Sequence, residues 1–171
     1  LVWLARKILA FFAKRQARRW AAEFDHATHS PWKVQQALLQ RILLRHQHTR
    51  FGRQHRFAEI RTLADFRLHL PIRRYEDFEP YIEQVKRGQL DALLGDDRVL
   101  MFALTSGTTA SRKFIPVTDQ YLADYRRGWT VWGWHVYQAH AHALMRPILQ
   151  LVSDWEEFRT EEEFPAAVSA D

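Results

Sequence analysis

Residues 98–118, with the sequence R-V-L-M-F-A-L-T-S-G-T-T-A-S-R-K-F-I-P-V-T, contain the pattern that decides the fold. The segment Arg98–Leu104 is mainly a continuous apolar run, which predicts a strand buried on both faces. Thr105–Arg112 is polar and predicts a loop. Lys113–Val117 predicts a second strand, in which Pro116 indicates the end of the strand or an edge position, because proline cannot donate to a sheet ladder. The stretch therefore predicts two strands joined by a polar loop.

Helical signals dominate the sequence before this stretch. Ser30 followed by Pro31 is typical of a helix start. Thr62 with Asp65 resembles a capping box, in which two side chains satisfy backbone N–H groups reciprocally. The predicted helices cover residues 3–24, a segment from 31 to before Gly52, residues 62–69, and residues 75–87 with an interruption at Pro80 and a C-cap at Gly88.

One further helix and one further strand are predicted after the stretch. Thr118 is a good N-cap for a helix over residues 119–144, and residues 148–152 predict a third strand. The acidic end from Ser153 has no clear period and is predicted to be irregular. The fold class is therefore α/β: a helical N-terminal layer, then strand–loop–strand–helix–strand. We expect a helical region at 1–95 and an α/β region at 96–171.

Composition limits the classes of function. The chain has 171 residues, 25 Lys and Arg, 20 Asp and Glu, and no Cys. It therefore lacks the residues for a disulfide scaffold, a thiolate zinc site or a cysteine nucleophile, and we expect a cytoplasmic protein. No apolar run approaches the roughly 18 residues of a membrane span. The nine His do not show the spacing of a zinc helix, so no metal site is predicted.

The loop after the first strand holds the candidate chemistry. Hydroxyl side chains surround Gly107, which allows close approach of the backbone to a ligand. Backbone N–H groups in such a turn bind anions, and Lys113 adds a positive charge. The residues alone leave open whether the loop binds phosphate or is an ordinary polar turn. It is neither a Walker A loop nor a nucleophile elbow. The candidate phosphate-binding residues are Thr105, Ser106, Gly107, Thr108, Thr109 and Lys113.

The segment T-S-G-T-T…K resembles the phosphate-binding loop of the adenylate-forming superfamily. Its continuation, K-F-I-P-V-T, resembles the acyl acid amido synthetase branch, the auxin-responsive promoter family. Other stretches agree with that branch in order and spacing. They are T-R-F-G-R-Q-H-R-F at 49–57, L-P-I-R-R-Y-E-D-F-E-P-Y-I-E at 70–83, P-I-L-Q-L-V-S at 147–153 and R-T-E at 159–161.

This resemblance implies the large N-terminal domain of an enzyme that activates a carboxylic acid with ATP as an acyl-adenylate and passes the acyl group to an amine or amino acid. It implies that the loop residues cradle the ATP phosphates, that Lys113 is the loop's basic residue, and that Mg²⁺ accompanies the nucleotide. Ala110 stands where the family usually has a second glycine. Family enzymes are much longer, so the resemblance implies a single incomplete domain in which 96–171 is a partial α/β nucleotide-binding region. The chain is expected to be an N-terminal piece that is inactive alone.

A non-catalytic alternative also follows from the sequence. Residues 1–22 contain six basic and no acidic residues, so the first helix could bind a polyanion, an anionic membrane or a partner. The simpler expectation is that its apolar face, including Trp3, Phe11 and Phe12, docks on the protein, and that no nucleic acid binds. The aromatic helix at 119–144 is expected to be core, with part of its surface exposed if the rest of the domain is missing.

Overall fold

The structure is a computed structural model that describes residues 2–105, 113–142, 146–147, 149, 158–160 and 164–168. The chain divides into two compact units. The first consists of Leu1–Val34 with Leu122–Gln150, and the second of Gln35–Tyr121 with Leu151–Asp171. The predicted boundary between residues 95 and 96 stays a prediction.

Helices make up most of the described residues before residue 99. Short 3₁₀ turns at Phe57–Glu59, Tyr75–Asp77 and Leu90–Ala92 join or extend them. None of the helices in the described ranges is long and apolar enough to cross a membrane. The α-helices are α1 Val2–Thr28, α2 Pro31–His46, α3 Arg50–Gln54, α4 Leu63–His69, α5 Glu79–Lys86 and α6 Asp119–Ala139.

Local capping signals in the sequence correctly predict several helix ends. At α4, the Asp65 N–H donates to Thr62 Oγ1 at 3.1 Å, and the Thr62 N–H donates to the Asp65 carboxylate at 2.8 Å. The Thr62 backbone N–H is also the main cause of a lowered pKa at Asp65. At α6, the Tyr121 N–H donates to Thr118 Oγ1 at 3.1 Å. The predicted caps at Thr62 and Thr118 are confirmed, and α2 begins at Pro31 as predicted.

The end of α5 also follows the prediction, but its start does not. Gly88 has φ of 78°, and its N–H and that of Gln89 donate to the carbonyls of Val85 and Gln84. This is the Schellman motif, which favours glycine because of the left-handed backbone. Pro80, however, does not interrupt a helix. It lies in the first turn of α5, where its missing N–H has no intrahelical partner to lose.

Two other helix boundaries differ from the sequence prediction. The chain between α2 and the first 3₁₀ turn contains a separate helix, α3, which was not predicted because five residues carry too little periodicity. Helix α6 ends at Ala139 rather than near residue 144, and Ala141–His142 continues as a 3₁₀ turn. Such tightening is common at helix ends.

Within the part of the chain that the structure describes, four strands form one sheet, in the order β2-β1-β4-β3. They are β1 Val99–Leu104, β2 Phe114–Thr118, β3 Phe158–Arg159 and β4 Pro165–Val168. Strand β1 pairs antiparallel with β2, with Leu104 opposite Phe114, and parallel with β4. Pro116 lies inside β2, which is an edge strand, so the edge interpretation of this proline is confirmed.

The sequence predicted that the acidic end from Ser153 is irregular. This prediction is wrong, because β3 and β4 lie within that segment. Strand β4 has the sequence Pro-Ala-Ala-Val, which carries little intrinsic β-propensity. Its ladder with β1 joins residues more than sixty positions apart, which no local pattern reveals. The predicted strand at 148–152 lies outside the described residues except for Leu149. The described residues contain both helices and strands, which is compatible with the predicted α/β class. The complete order of strand, phosphate loop, strand, helix and strand stays a prediction.

The main core packs α5 and the third 3₁₀ turn against β1. Its fully buried side chains include Val85, Phe102 and Leu104. No described residue of β1 is exposed, which fits the prediction of a strand covered on both faces. The phenyl rings of Phe114 and Phe164 each lie 6.0 Å from the ring of Phe102, in edge-to-face geometry. Phe102 is therefore the centre of this core.

The expectation that the apolar face of α1 is docked is wrong. Every residue from Trp3 to Arg15 is exposed, including Phe11 and Phe12. Amphipathic spacing identifies which residues share a face, but it does not say what covers that face. On α6, Trp129 and Trp132 are also about half exposed and Val131 is the one buried residue, so the expectation that this helix is core is wrong. Part of its aromatic surface is exposed, as the sequence allowed.

Candidate functional site

Thr105 and Lys113, the two ends of the candidate loop, are brought together by the β1–β2 hairpin. Antiparallel pairing places Leu104 opposite Phe114. One step further along, the Thr105 N–H donates to the Lys113 carbonyl at 3.3 Å. Thr105 is exposed and Lys113 is half-buried. Two of the six predicted site residues are thus neighbours at the base of the loop.

The other four predicted site residues are Ser106, Gly107, Thr108 and Thr109. They lie outside the described residues, together with Ala110, Ser111 and Arg112. Their role as a phosphate cradle stays a prediction. What the structure provides is the anchoring of the two residues that flank them.

Tyr75 fixes the strand that leaves the loop. Its hydroxyl accepts a hydrogen bond from the Phe114 N–H at 2.8 Å and donates one to the Phe114 carbonyl at 3.3 Å. Burial raises the pKa of the Tyr75 hydroxyl, so the proton that it donates is retained at neutral pH. The Lys113 ammonium lies 5.5 Å from the centre of the Tyr75 ring. Tyr75 therefore positions the backbone directly beside Lys113.

Sequence reasoning missed this role of Tyr75. It assigned Tyr75, Glu76 and Asp77 to the start of a helix, where acidic residues complement the helix dipole. That interpretation explains Asp77, whose carboxylate accepts from the Arg74 N–H at 2.9 Å. The available signal for Tyr75 was the Y-E-D segment within the resemblance at residues 70–83.

Charged side chains of both signs lie near the hairpin on the side of Lys113, where Glu76, Glu79 and Glu83 are close enough to act on the Tyr75 hydroxyl. Lys86 lies 4.1 Å from the centre of the Phe114 ring, but it is paired with Glu83 at 2.8 Å. Lys113 forms no ion pair with any described residue. Its ammonium is therefore the cation at the base of the loop that can still neutralise an anion, because the charge of Lys86 is already matched.

The segment T-R-F-G has a structural role at α3. The Gly52 N–H donates to Thr49 Oγ1 at 2.9 Å, so Thr49 caps this helix. Phe51 is buried and packs against Phe78 at 5.5 Å and against Tyr81 at 5.2 Å between ring centroids. The segments at 49–57 and 70–83 therefore contact each other, which holds α3 against α5, the helix that also contacts β2 through Lys86.

A second polar cluster ties α2 to the chain before β1. Asp97 is buried, and its carboxylate accepts from Arg45 Nε at 2.8 Å. Arg45 also donates to Gln120 Oε1 at 3.2 Å. Burial lowers the pKa of the neighbouring His46. Arg45 and Asp97 therefore form a salt bridge with a structural role. Removal of Arg45 would leave the buried Asp97 carboxylate without a compensating charge.

Comparison with known proteins identifies similar sequences. Residues 21–170 match the GH3 family N-terminal domain. The chain is 30% identical over 101 residues to jasmonoyl-L-amino acid synthetase JAR4 from Nicotiana attenuata, covering 58% of this chain and 18% of that protein. It is 27% identical over 99 residues to indole-3-acetic acid-amido synthetase GH3.2 from Arabidopsis thaliana, covering 57% and 18% respectively. The matched part thus spans about a fifth of the length of these curated relatives.

Proposed function

Because the chain belongs to the GH3 family, we propose that it forms the part of an ATP-dependent ligase that binds the phosphates of the nucleotide. The named relatives are amido synthetases that act on jasmonate or indole-3-acetic acid. By this family relation, the whole enzyme conjugates a carboxylic acid to an amine or amino acid. The chain aligns with only 18% of those relatives, so this complete activity is part of the proposal.

The proposed reaction has two transfers. A carboxylate oxygen attacks the α-phosphorus of ATP, and pyrophosphate leaves. The amine nitrogen then attacks the acyl carbon, and AMP leaves. Both steps depend on holding the phosphates in place and neutralising their charge, which fixed N–H groups and a lysine can supply.

The proposal rests on the hydrogen bonds that fix the two residues flanking the loop, Thr105 and Lys113. The Thr105–Lys113 hydrogen bond and the two bonds from Tyr75 to Phe114 fix both ends of the seven-residue loop. Fixing the ends reduces the conformational entropy that the loop would lose when it closes around a ligand. A phosphate bound by the loop would need donors, which the hydroxyl of the exposed Thr105 and the Lys113 ammonium would supply from the base of the hairpin.

These residues fit a triphosphate better than a metal ion held by the protein. No three His, Asp or Glu side chains that could hold a metal lie together in the described part of the chain. At the base of the hairpin, the Thr105 hydroxyl and the Lys113 ammonium are donors that suit phosphate oxygens. We therefore assign Mg²⁺ to the phosphates of the nucleotide, where it would neutralise part of their charge.

Replacing Lys113 by alanine is expected to weaken ATP·Mg²⁺ binding about tenfold or more, because a charge-assisted hydrogen bond contributes about 1.5–3 kcal/mol. Lys113→Arg should retain most of the affinity, since it keeps the charge. Isothermal titration calorimetry measures both. Lys33→Ala, on the exposed side of α2, removes the same charge elsewhere and should change nothing. Equal losses in Lys33→Ala and Lys113→Ala would contradict a specific site.

The chain alone is expected to bind the nucleotide without completing adenylation. About four fifths of each named relative lies outside the matched part, and we propose that binding of the acid requires that remainder. An ATP–pyrophosphate exchange assay with a panel of carboxylic acids measures the first transfer. We expect no exchange above a protein-free control, and clear turnover would show that these residues suffice.

A further inference from the structure

The first half of α1 carries an exposed surface that the ligase function does not use. All residues from Trp3 to Arg15 are exposed. Six large apolar side chains among them have 49–72% of their surface accessible. These six are Trp3, Leu4, Ile8, Leu9, Phe11 and Phe12. The family match begins only at residue 21, so this surface lies outside the part shared with the GH3 domain.

The second half of α1 is attached to α6, whereas the first half only borders a groove that Phe11, Lys14 and Arg15 line together with Trp134 of α6. Ala21 is buried. Glu23 pairs with Arg127 of α6 at 2.7 Å, and the Arg127 guanidinium lies 5.6 Å from the centre of the Trp20 ring. The contacts of α1 with α6 through Trp20 and Glu23 therefore lie close to residue 21, where the family match begins. The exposed turns of α1 lie before that residue.

One face of α1 changes from apolar to cationic along its length. Leu4, Ile8 and Phe11 follow helical spacing, and the same stripe continues through Arg15 to Arg18. Before Glu23 the helix contains six basic and no acidic residues. Of these, Arg19 is paired with Glu23 at 2.8 Å. No ion pair forms at the other five among the described residues.

We propose that residues 3–19 of α1 are a docking surface for an anionic lipid bilayer. The cations match the phosphate and carboxylate headgroups, and the adjacent apolar turns match the acyl boundary just below them. A nucleic acid would satisfy the charges but would leave aliphatic side chains such as Leu4 and Ile8 without a partner. Parallel pairing of α1 with α1 of a second copy would place like charges together, and antiparallel pairing would set the cationic turns of one copy against the apolar turns of the other.

The test is co-sedimentation of the full chain with vesicles of phosphatidylcholine, with and without phosphatidylserine. We expect binding to the phosphatidylserine vesicles that falls as salt is raised. Lys14→Glu/Arg15→Glu should weaken it about 25-fold or more, because each basic residue near such a surface contributes about fivefold. Phe11→Ala/Phe12→Ala should weaken it about tenfold, since it removes apolar area while keeping a good helix former.

Matched controls keep the test specific. Arg41→Glu/Arg67→Glu makes the same charge change on exposed positions of α2 and α4, and should leave vesicle binding unchanged. Circular dichroism should show the same helix content in every variant. The proposal is overturned if phosphatidylserine adds nothing, or if the control variant loses as much as the α1 variant. It is also overturned if Phe11→Ala/Phe12→Ala binds as wild type, which would indicate a purely electrostatic partner such as RNA.

Discussion

Replacement of Phe102 by alanine is expected to lower the free energy of unfolding by about 3–5 kcal/mol. The side chain is fully buried at the centre of the main core. Its removal leaves a cavity between the rings of Phe114 and Phe164, which lie on opposite sides in the sheet order. Backbone ladders on both sides of β1 restrict the collapse of that cavity. Urea denaturation followed by far-UV circular dichroism measures the change.

Phe24→Ala is the matched control, because it removes the same ring from an exposed position on α1. Surface substitutions of this kind usually change stability by no more than about 0.5 kcal/mol. A loss below about 1 kcal/mol in Phe102→Ala, well under the usual cost of removing a buried aromatic ring, would mean that the core does not pack as described.

Gly52→Ala is expected to cost about 3 kcal/mol or more, at the upper end of overpacking effects. A Cβ at Gly52 would lie 2.1 Å from the His46 carbonyl oxygen and 3.0 Å from the carbonyl carbon. These are backbone atoms at the end of α2, so they cannot move aside as a flexible side chain could. Thermal and urea unfolding of the variant measure the loss.

A glycine-to-alanine substitution on α6 should raise the stability of the protein instead of lowering it. A Cβ added at Gly128 meets nothing within 4 Å. Gly128→Ala should therefore stabilise the helix by about 0.5–1 kcal/mol, because alanine loses less conformational entropy on folding. If the two variants changed stability alike, the close approach of α2 to α3 would be wrong.

Local chemistry explains which parts of the fold the sequence predicts. The Thr62–Asp65 capping box, the Thr118 cap and the glycine at position 88 act within a few residues, so their structures can be inferred from a short window. The apolar run of β1 is equally local. For the same reason α3 escaped prediction: its five residues are set by the Thr49 cap and the burial of Phe51, without a helical period.

Long-range contacts explain what the sequence could not predict. Strand β4 is stabilised by backbone pairing with β1, and nothing in the sequence Pro-Ala-Ala-Val indicates that it pairs with this strand. The exposure of α1 depends on what lies against it rather than on its own pattern. In the candidate site, Thr105 and Lys113 flank a loop that was predicted between two strands, but their hydrogen bond depends on the antiparallel pairing of those strands, which the structure supplies. The hydroxyl of Tyr75 reaches Phe114 across 39 positions of chain and could not be foreseen.

The central claim is that the β1–β2 hairpin binds the phosphates of ATP. The most direct test is titration of the isotope-labelled chain with ATP·Mg²⁺, followed by the backbone amide signals in two-dimensional NMR. The account predicts shifts at Thr105, Lys113 and Phe114, with the amides of α4 unchanged. Absence of shifts at the hairpin, or larger shifts at a site remote from it, would contradict the claim.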